Sequence, residues 1–384
     1  MNSPKVTLAS LSALPLLALT LTACHKQDFP QFPANYREYA YVTNGGSGTV
    51  TVVDVVNVRL DRELAVGQNP VAVAASTTRN EVYVVNSGLA TGQGSVSVIN
   101  AGNNSVAATI AVRRQPVSIE LDPKGDLAYV ANSGANAISV IDLKARREIA
   151  LIGAGEEPVF TRLSPDGKTL AVANRHGNSV TLIDPAARTV RSVFEGCPGA
   201  ADAVIMPDSS KVFAACSGGH QVMSIALAHA GQPDRLEALM DVGQAPVQLA
   251  LKPDGGELFA VNSVSNSISE VITNTNDVSG AYMMGDNPVR GLVSSDNAML
   301  YVGNLRAQEV TVYAIDEGKR IGSIHVGDGP AALAFSAAGH LLFVVDARSS
   351  DIAVVRTQTP KPSLFTLIPT GRAPNAIAVK AFKL

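Results

Sequence analysis

Apolar and polar positions alternate in short runs along most of the chain, and one four-residue phrase recurs at a nearly fixed spacing. The phrase is an aromatic or aliphatic residue, two small or β-branched residues, and then Asn or a substitute. Consecutive copies are 42 or 46 residues apart, and a period in this range is typical of propellers and solenoids. The last residues of the eight copies are Asn44, Asn86, Asn132, Asn174, Cys216, Asn262, Asn304 and Asp346.

A second phrase, Gly-x-x-Pro or a variant of it, keeps the same spacing. Between the two phrases, runs rich in Val, Ile and Tyr alternate with turn residues, which predicts four short strands per repeat. In the repeat that contains Asn132, we expect strands at residues 117–121, 128–132, 137–142 and 148–152. The prolines of the second phrase are Pro70, Pro116, Pro158, Pro198, Pro246, Pro288, Pro330 and Pro374.

These elements predict an all-β fold, an eight-bladed β-propeller made of four-stranded antiparallel blades. The chain enters the array at a second strand, residues 40–44, and leaves it on a lone first strand, residues 375–381. Pairing of these two ends would complete the N-terminal blade and close the ring without a free sheet edge. Seven blades are the alternative.

The repeated phrase resembles that of the YVTN family of β-propeller repeat proteins, and the resemblance covers roughly residues 38–384. Many members of that family have seven blades, so the eighth copy is a departure. It brings the chain closer in form to the eight-bladed haem d1 domain of cytochrome cd1 nitrite reductases, to which such repeats are distantly similar. The resemblance implies a fold and leaves the function open, because propellers carry unrelated functions.

The first residues have the pattern of an export signal. Lys5 precedes an apolar stretch at residues 6–21, and Leu-Thr-Ala-Cys ends at Cys24. This ending resembles a bacterial lipobox, which implies a lipoprotein signal peptide over residues 1–23 and a lipid on Cys24. An ordinary export signal cleaved nearby is the alternative.

The segment after Cys24 has no strand period and contains two prolines, Pro30 and Pro33. We therefore expect residues 24–38 to form a flexible tether and residues 39–384 to form the propeller. His25 stands where inner-membrane retention signals usually carry Asp. The expected location is the cell envelope, at the outer membrane facing the periplasm if the cell is Gram-negative.

The net charge of the chain limits the kinds of partner that we expect. The formal net charge is -3 and the isoelectric point is near 6.1, which supplies no strongly basic field for nucleic acid. We expect no nucleic-acid partner, contact with the membrane only through the lipid, and a monomer.

Apart from Cys24, the only cysteines are Cys197 and Cys216, at the same end of one predicted blade. An exported protein meets an oxidising compartment, which favours a disulfide between them. Two free buried thiols are the alternative. No metal is expected, because no His or second Cys pair completes a zinc set.

Catalytic motifs are not evident in the sequence. The recurrent Asn stands at a strand end beside Gly and Ser, which favours a structural amide that bonds turn backbone. No nucleophile elbow, zinc-protease motif, phosphate loop or Cys-x-x-Cys-His occurs, and there is no Trp. No cofactor is therefore expected, although His176 or His220 could serve as a lone axial ligand of non-covalent haem.

The repeat register predicts which polar residues of the first strands face the central channel. The first strand of each blade borders the central channel, and alternate residues point into it. Because Val71, Val117, Val159, Val247 and Val289 keep one series apolar, the other series is expected to face the channel. It contains the candidate ligand-binding residues Ser118, Glu120, Phe160, Arg162, Asp202, Gln248 and Arg290. Mutual neutralisation of these charges is the alternative to a ligand.

The sequence thus favours a non-enzymatic, membrane-tethered propeller that binds or scaffolds through its loop face and channel mouth. Its partner would be an envelope protein or a small polar or anionic ligand, for which Arg162 and Arg290 are suited. A lactonase-like hydrolase, a haem-dependent oxidoreductase and a structural surface protein are the alternatives.

Overall fold

The computed structural model describes residues 30–88, 92–229, 231–358 and 361–384. Residues 33–384 form one compact unit, an all-β ring of eight four-stranded antiparallel blades. The predicted signal peptide, Cys24 and the first part of the predicted tether lie outside the described residues. No helix of the described part has the length and apolar character that crossing a membrane would require.

Each blade runs from an inner strand at the channel to an outer strand at the rim, and the order along the chain matches the predicted repeat. Blade 1 consists of β32 (Pro374–Lys383), β1 (Tyr36–Asn44), β2 (Thr49–Asp54) and β3 (Arg59–Ala65), and blade 2 of β4 (Pro70–Ala75), β5 (Glu81–Asn86), β6 (Gln93–Asn100) and β7 (Ser105–Arg114). Blade 3 consists of β8 (Pro116–Leu121), β9 (Leu127–Asn132), β10 (Ala137–Asp142) and β11 (Arg147–Gly153). Blade 4 consists of β12 (Pro158–Leu163), β13 (Leu170–Asn174), β14 (Ser179–Asp184) and β15 (Thr189–Glu195).

Blades 5 to 8 are β16 (Ala200–Ile205), β17 (Lys211–Cys216), β18 (Gln221–Ala226), β19 (Arg235–Asp241); β20 (Pro246–Leu251), β21 (Glu257–Asn262), β22 (Ser267–Ile272), β23 (Asp277–Met283); β24 (Pro288–Val293), β25 (Met299–Asn304), β26 (Glu309–Ala314), β27 (Lys319–His325); and β28 (Pro330–Phe335), β29 (Leu341–Asp346), β30 (Asp351–Arg356), β31 (Ser363–Pro369). A single turn of 3-10 helix, Ser133–Ala135, follows β9.

The two chain ends close the ring, as the sequence predicts. Strand β32 pairs antiparallel with β1 from Tyr36 opposite Lys383 to Asn44 opposite Pro374. The seven-blade alternative is therefore wrong. Residues 36–38, which the sequence analysis assigns to the tether, belong to β1 because β32 is long enough to pair with them, and Glu38 is buried there.

The hydrophobic core lies between neighbouring blades. Between blades 3 and 4, for example, Tyr129 and Ile138 pack against Leu170 and Val172. Each blade alone would leave two apolar sheet faces in water, so burial against both neighbours is the main term that stabilises the ring.

Blade 5 carries the disulfide. Cys197 in the loop before β16 is bonded to Cys216 at the end of β17, with their Cα atoms 4.7 Å apart. Six other blades have Asn at the position of Cys216; Asn86, for example, accepts a hydrogen bond from Gly67 N in the preceding loop. The disulfide makes the same connection between strand and loop covalently.

Candidate functional site

The inner strands begin with an irregularity that shapes the channel mouth. In blade 4, Glu157 adopts a left-handed backbone conformation (φ 54°), and the register then shifts between Pro158 and Phe160. Val159 is thus an extra residue, a β-bulge, and both Val159 and Phe160 line the channel. The same shift occurs in the inner strands of blades 2, 3, 5, 6, 7 and 8.

The bulge shows that one prediction from the sequence, that the valine series faces away from the channel, is wrong. Strict alternation turns the valine series away from the channel, but Val71, Val117, Val159 and Val247 line it. The candidate polar residues nevertheless line the channel as well, because side chains alternate regularly between the two faces of the strand after the bulge.

The inner strands enclose a cavity of about 610 Å³. Its wall is divided into two arcs. Blades 8, 1 and 2 contribute apolar residues, among them Ala332, Ala376 and Ala72, and one amide, Asn375, and we call this side the alanine arc. Blades 3 to 7 contribute all the candidate residues named from the sequence, which are Ser118, Glu120, Phe160, Arg162, Asp202, Gln248 and Arg290.

Glu120 and Arg162 form an ion pair across blades 3 and 4. Arg162 Nη1 lies 3.6 Å from Glu120 Oε2, and the guanidinium lies 5.3 Å from the centre of the Phe160 ring. Leu163 N donates to Glu120 Oε1 at 3.4 Å. Burial raises the pKa of Glu120 above its ordinary value, and the positive charge of Arg162 opposes that rise.

Asp202 is the most enclosed charged group of the channel, with 4% of the residue exposed. Its Oδ2 accepts a hydrogen bond of 2.8 Å from Leu249 N in the next blade, whereas Oδ1 is buried without a partner among the described residues. Burial raises the pKa of Asp202; the Leu249 N–H and the charges of Arg290 and Arg162 work in the opposite direction.

The neutral polar residues also bond across neighbouring blades. Gln248 Oε1 accepts from Gly291 N at 2.8 Å, and its Nε2 donates to Leu249 O at 2.6 Å. Ser118 and Thr161 share a hydrogen bond of 3.1 Å. Since the inner strand of each blade has an unpaired edge toward the channel, Gln248 satisfies two backbone groups that would otherwise depend on water, whereas the Ser118–Thr161 bond joins two side chains.

Arg290 differs from the other channel residues. It makes no hydrogen bond through its side chain and no ion pair with another described residue, and Asp202 lies on blade 5, separated from it by blade 6. The sequence places Asp202 and Arg290 in one layer, and the charge of Arg290 does act on Asp202, but the hydrogen bond to Asp202 Oδ2 comes from Leu249 N.

Two polar residues of the wall were missed by the sequence analysis. Thr161 lines the cavity and bonds Ser118. Asn375 accepts from Thr43 Oγ1 at 2.6 Å and donates to Pro70 O at 2.9 Å. Asn375 occupies the bulge position of β32, so the recurring shift after the proline is the signal that would have revealed it.

The histidines named as haem candidates lie on loops and not in the cavity wall. His176 Nδ1 is 3.1 Å from Glu157 Oε2, and its side chain is 70% exposed. His220 adopts a left-handed conformation in the turn after β17, and its Nδ1 accepts from Ala245 N at 3.1 Å. Among the described residues, no three His, Cys, Asp or Glu side chains cluster closely enough to hold a metal ion.

No protein-family model and no curated protein sequence matches this chain. Similar solved structures are β-propeller proteins. The dihydro-haem d1 dehydrogenase NirN in complex with DHE is 12% identical, over 91% of this chain and 76% of its own, with a TM-score of 0.72. The periplasmic gluconolactonase PpgL of Pseudomonas aeruginosa is 18% identical, over 90% and 98%, with a TM-score of 0.63.

The hydrazine synthase of Kuenenia stuttgartiensis is 21% identical, over 83% of this chain and 92% of its own, with a TM-score of 0.58. Identities this low show a shared fold and no more. The fold and its neighbours define the chain as an eight-bladed β-propeller.

Proposed function

We propose that this propeller is a non-enzymatic binding protein whose channel mouth holds a small anionic ligand. The observation that carries the proposal is the pair of guanidinium groups, Arg162 and Arg290, in the wall of a cavity of about 610 Å³. Guanidinium groups donate forked hydrogen bonds that suit carboxylate and phosphate. A rigid ring that brings side chains from all blades to one concavity is well suited to binding.

The hydrolase and oxidoreductase alternatives rest on likeness of fold alone. The structural neighbours include proteins named as a gluconolactonase, a dehydrogenase and a hydrazine synthase, and these names belong to those proteins. Anion binding is supported by residues of this chain that line one cavity. We therefore prefer it to the hydrolase and oxidoreductase alternatives.

We further propose that the chain is an exported lipoprotein of the YVTN type, held in the envelope by a lipid on Cys24. The support is the Leu-Thr-Ala-Cys phrase and the repeated Asn phrase. Membrane fractionation tests the anchor: the wild-type chain should sediment with membranes, and a Cys24→Ser chain that sediments equally would refute it.

Binding is tested by replacing both channel arginines. Titration calorimetry with a set of small carboxylates should show binding to the wild-type chain and a loss of at least tenfold in the Arg162→Gln/Arg290→Gln variant, since charge-assisted hydrogen bonds contribute about 1.5–3 kcal/mol each. A matched control removes Arg59 and Arg235, which lie on outer strands and are 70% and 62% exposed. Equal affinity in the channel variant would contradict the proposal.

A further inference from the structure

Most polar side chains of the channel are already engaged by the protein. Gln248 and Asn375 each use both ends of the amide on neighbouring groups. Ser118 bonds Thr161, and Arg162 is paired with Glu120. A ligand rich in hydroxyl groups would therefore find few free partners on this wall, and each of its hydroxyls would lose hydrogen bonds to water without replacement.

Few of the remaining polar atoms of the channel are able to contact a ligand. Asp202 Oδ1 has no hydrogen-bond partner within the described part of the chain, but it is buried from solvent, so a ligand in the cavity does not reach it. Arg290 lines the cavity, and its guanidinium has no hydrogen-bond or ion-pair partner in the described part of the chain. The guanidinium of Arg162 also donates no hydrogen bond, but its charge is paired with Glu120, so Arg290 is the channel cation without an ion-pair partner among the described residues.

Arg290 lies at the boundary between the two arcs: Gln248 of blade 6 is on its polar side, its charge acts on Asp202, and its other side is apolar. Its strand, β24, lies beside β28 of blade 8, so the alanine arc begins next to it with Ala332 and continues with Ala376 and Ala72. Alanine leaves open space in front of the backbone and offers only a methyl group to a ligand. Arg162, by contrast, projects from blade 4, across the channel from blade 8.

We infer that the ligand of this site joins one anionic group to an apolar body. The anionic group binds Arg290. The apolar body lies against the alanine arc and against the valines at the β-bulge positions of the inner strands. Burial of apolar surface then adds to the charge-assisted hydrogen bonds. This inference rests on the proposed function and names the chemical class of its ligand; it disfavours polyhydroxylated acids.

The test compares two monocarboxylates of equal carbon number, hexanoate and gluconate, by calorimetry on the full chain. Hexanoate should bind at least about tenfold more tightly than gluconate, because it meets the apolar wall without unpaired hydroxyls. Arg290→Gln should weaken hexanoate binding at least tenfold, and Arg290→Lys should recover part of it. Arg59→Gln on the exposed outer strand β3, the matched control for charge, should change it by less than about threefold, and Arg162→Gln should weaken it less than Arg290→Gln does. Thermal midpoints check that each variant folds.

The outcomes separate the two proposals. Gluconate binding as tightly as hexanoate, with both lost in Arg290→Gln, would overturn the apolar body and leave the anion site standing. Hexanoate binding that depends on Arg162 and not on Arg290 would overturn the assignment of the anchor. Binding of neither acid to the folded wild-type chain would overturn this inference, and failure of the whole carboxylate set would overturn the proposed function as well.

Discussion

Asp346 occupies the position at which six blades carry Asn, and it is fully buried. Its Oδ2 accepts from Gly327 N at 3.0 Å, as the Asn oxygen does in other blades, but Oδ1 has no hydrogen-bond partner among the described residues. Where four of the Asn blades place a hydroxyl at the start of the next strand, Asp351 presents a second carboxyl. Burial raises the pKa of Asp346 to about 8, the Gly327 N–H opposes the rise, and the charge of Asp351 adds to it.

This shift predicts how stability depends on pH. The folded pKa of Asp346 lies above its ordinary value of 3.8, so the folded chain holds an extra proton between about pH 4 and 8. The stability that this proton contributes is complete below pH 3.8 and is lost as pH rises through 8. Asp346→Asn keeps the acceptor for Gly327 N and supplies an amide donor toward Asp351 at every pH.

We therefore expect Asp346→Asn to be more stable than the wild type by about 1–3 kcal/mol at pH 8.5 and nearly equal to it at pH 4. Urea unfolding of both chains at the two pH values measures this difference, and the comparison cancels the titration of all other groups. A difference that is the same at both pH values would contradict the account of this carboxyl.

At the scale of the strand, β32 determines whether the ring is closed. It pairs with β1 along its length, and Lys380 Nζ donates to Ser76 O in the neighbouring blade at 2.5 Å. Its loss would expose the edge of β1 and the apolar faces of blades 8 and 2.

Deleting residues 374–384 should therefore cause aggregation or lower the thermal midpoint by more than about 10 °C. Deleting Leu384 alone is the control, because this residue is 66% exposed, and it should leave the midpoint nearly unchanged. Scanning calorimetry distinguishes the two. A soluble truncated chain with the wild-type midpoint would show that β32 is not needed for closure.

The strands also show how far the sequence could be interpreted. Blade number, strand order and closure follow from the repeat, because each copy has the same alternation and the same turns. The bulge could not be predicted from alternation, since one extra residue such as Val159 changes the direction of the side chains above it. The hydrogen bond from Leu249 N to Asp202, and the lack of an ion pair for Arg290 among the described residues, depend on side-chain geometry between blades, which a one-dimensional pattern does not contain.

At the scale of the whole molecule, the ring is regular in its backbone and asymmetric in its channel. Eight similar blades could present eight similar side chains, yet one arc is apolar apart from Asn375, and the other carries all the charged groups. The core between the blades needs none of this asymmetry, since the inner faces pack with the same apolar pattern throughout. The asymmetry is therefore a property of the cavity, and it is what the proposed anion site requires.

The most direct test is a crystal structure of the propeller, residues 33–384, soaked with 4-bromobenzoate, whose bromine is located by anomalous scattering. The account predicts one bromine peak inside the channel, with the carboxylate on the guanidinium of Arg290 and the ring against the alanine arc. An empty channel with bromine bound elsewhere, or a carboxylate held by Arg162 while Arg290 makes no contact, would contradict it.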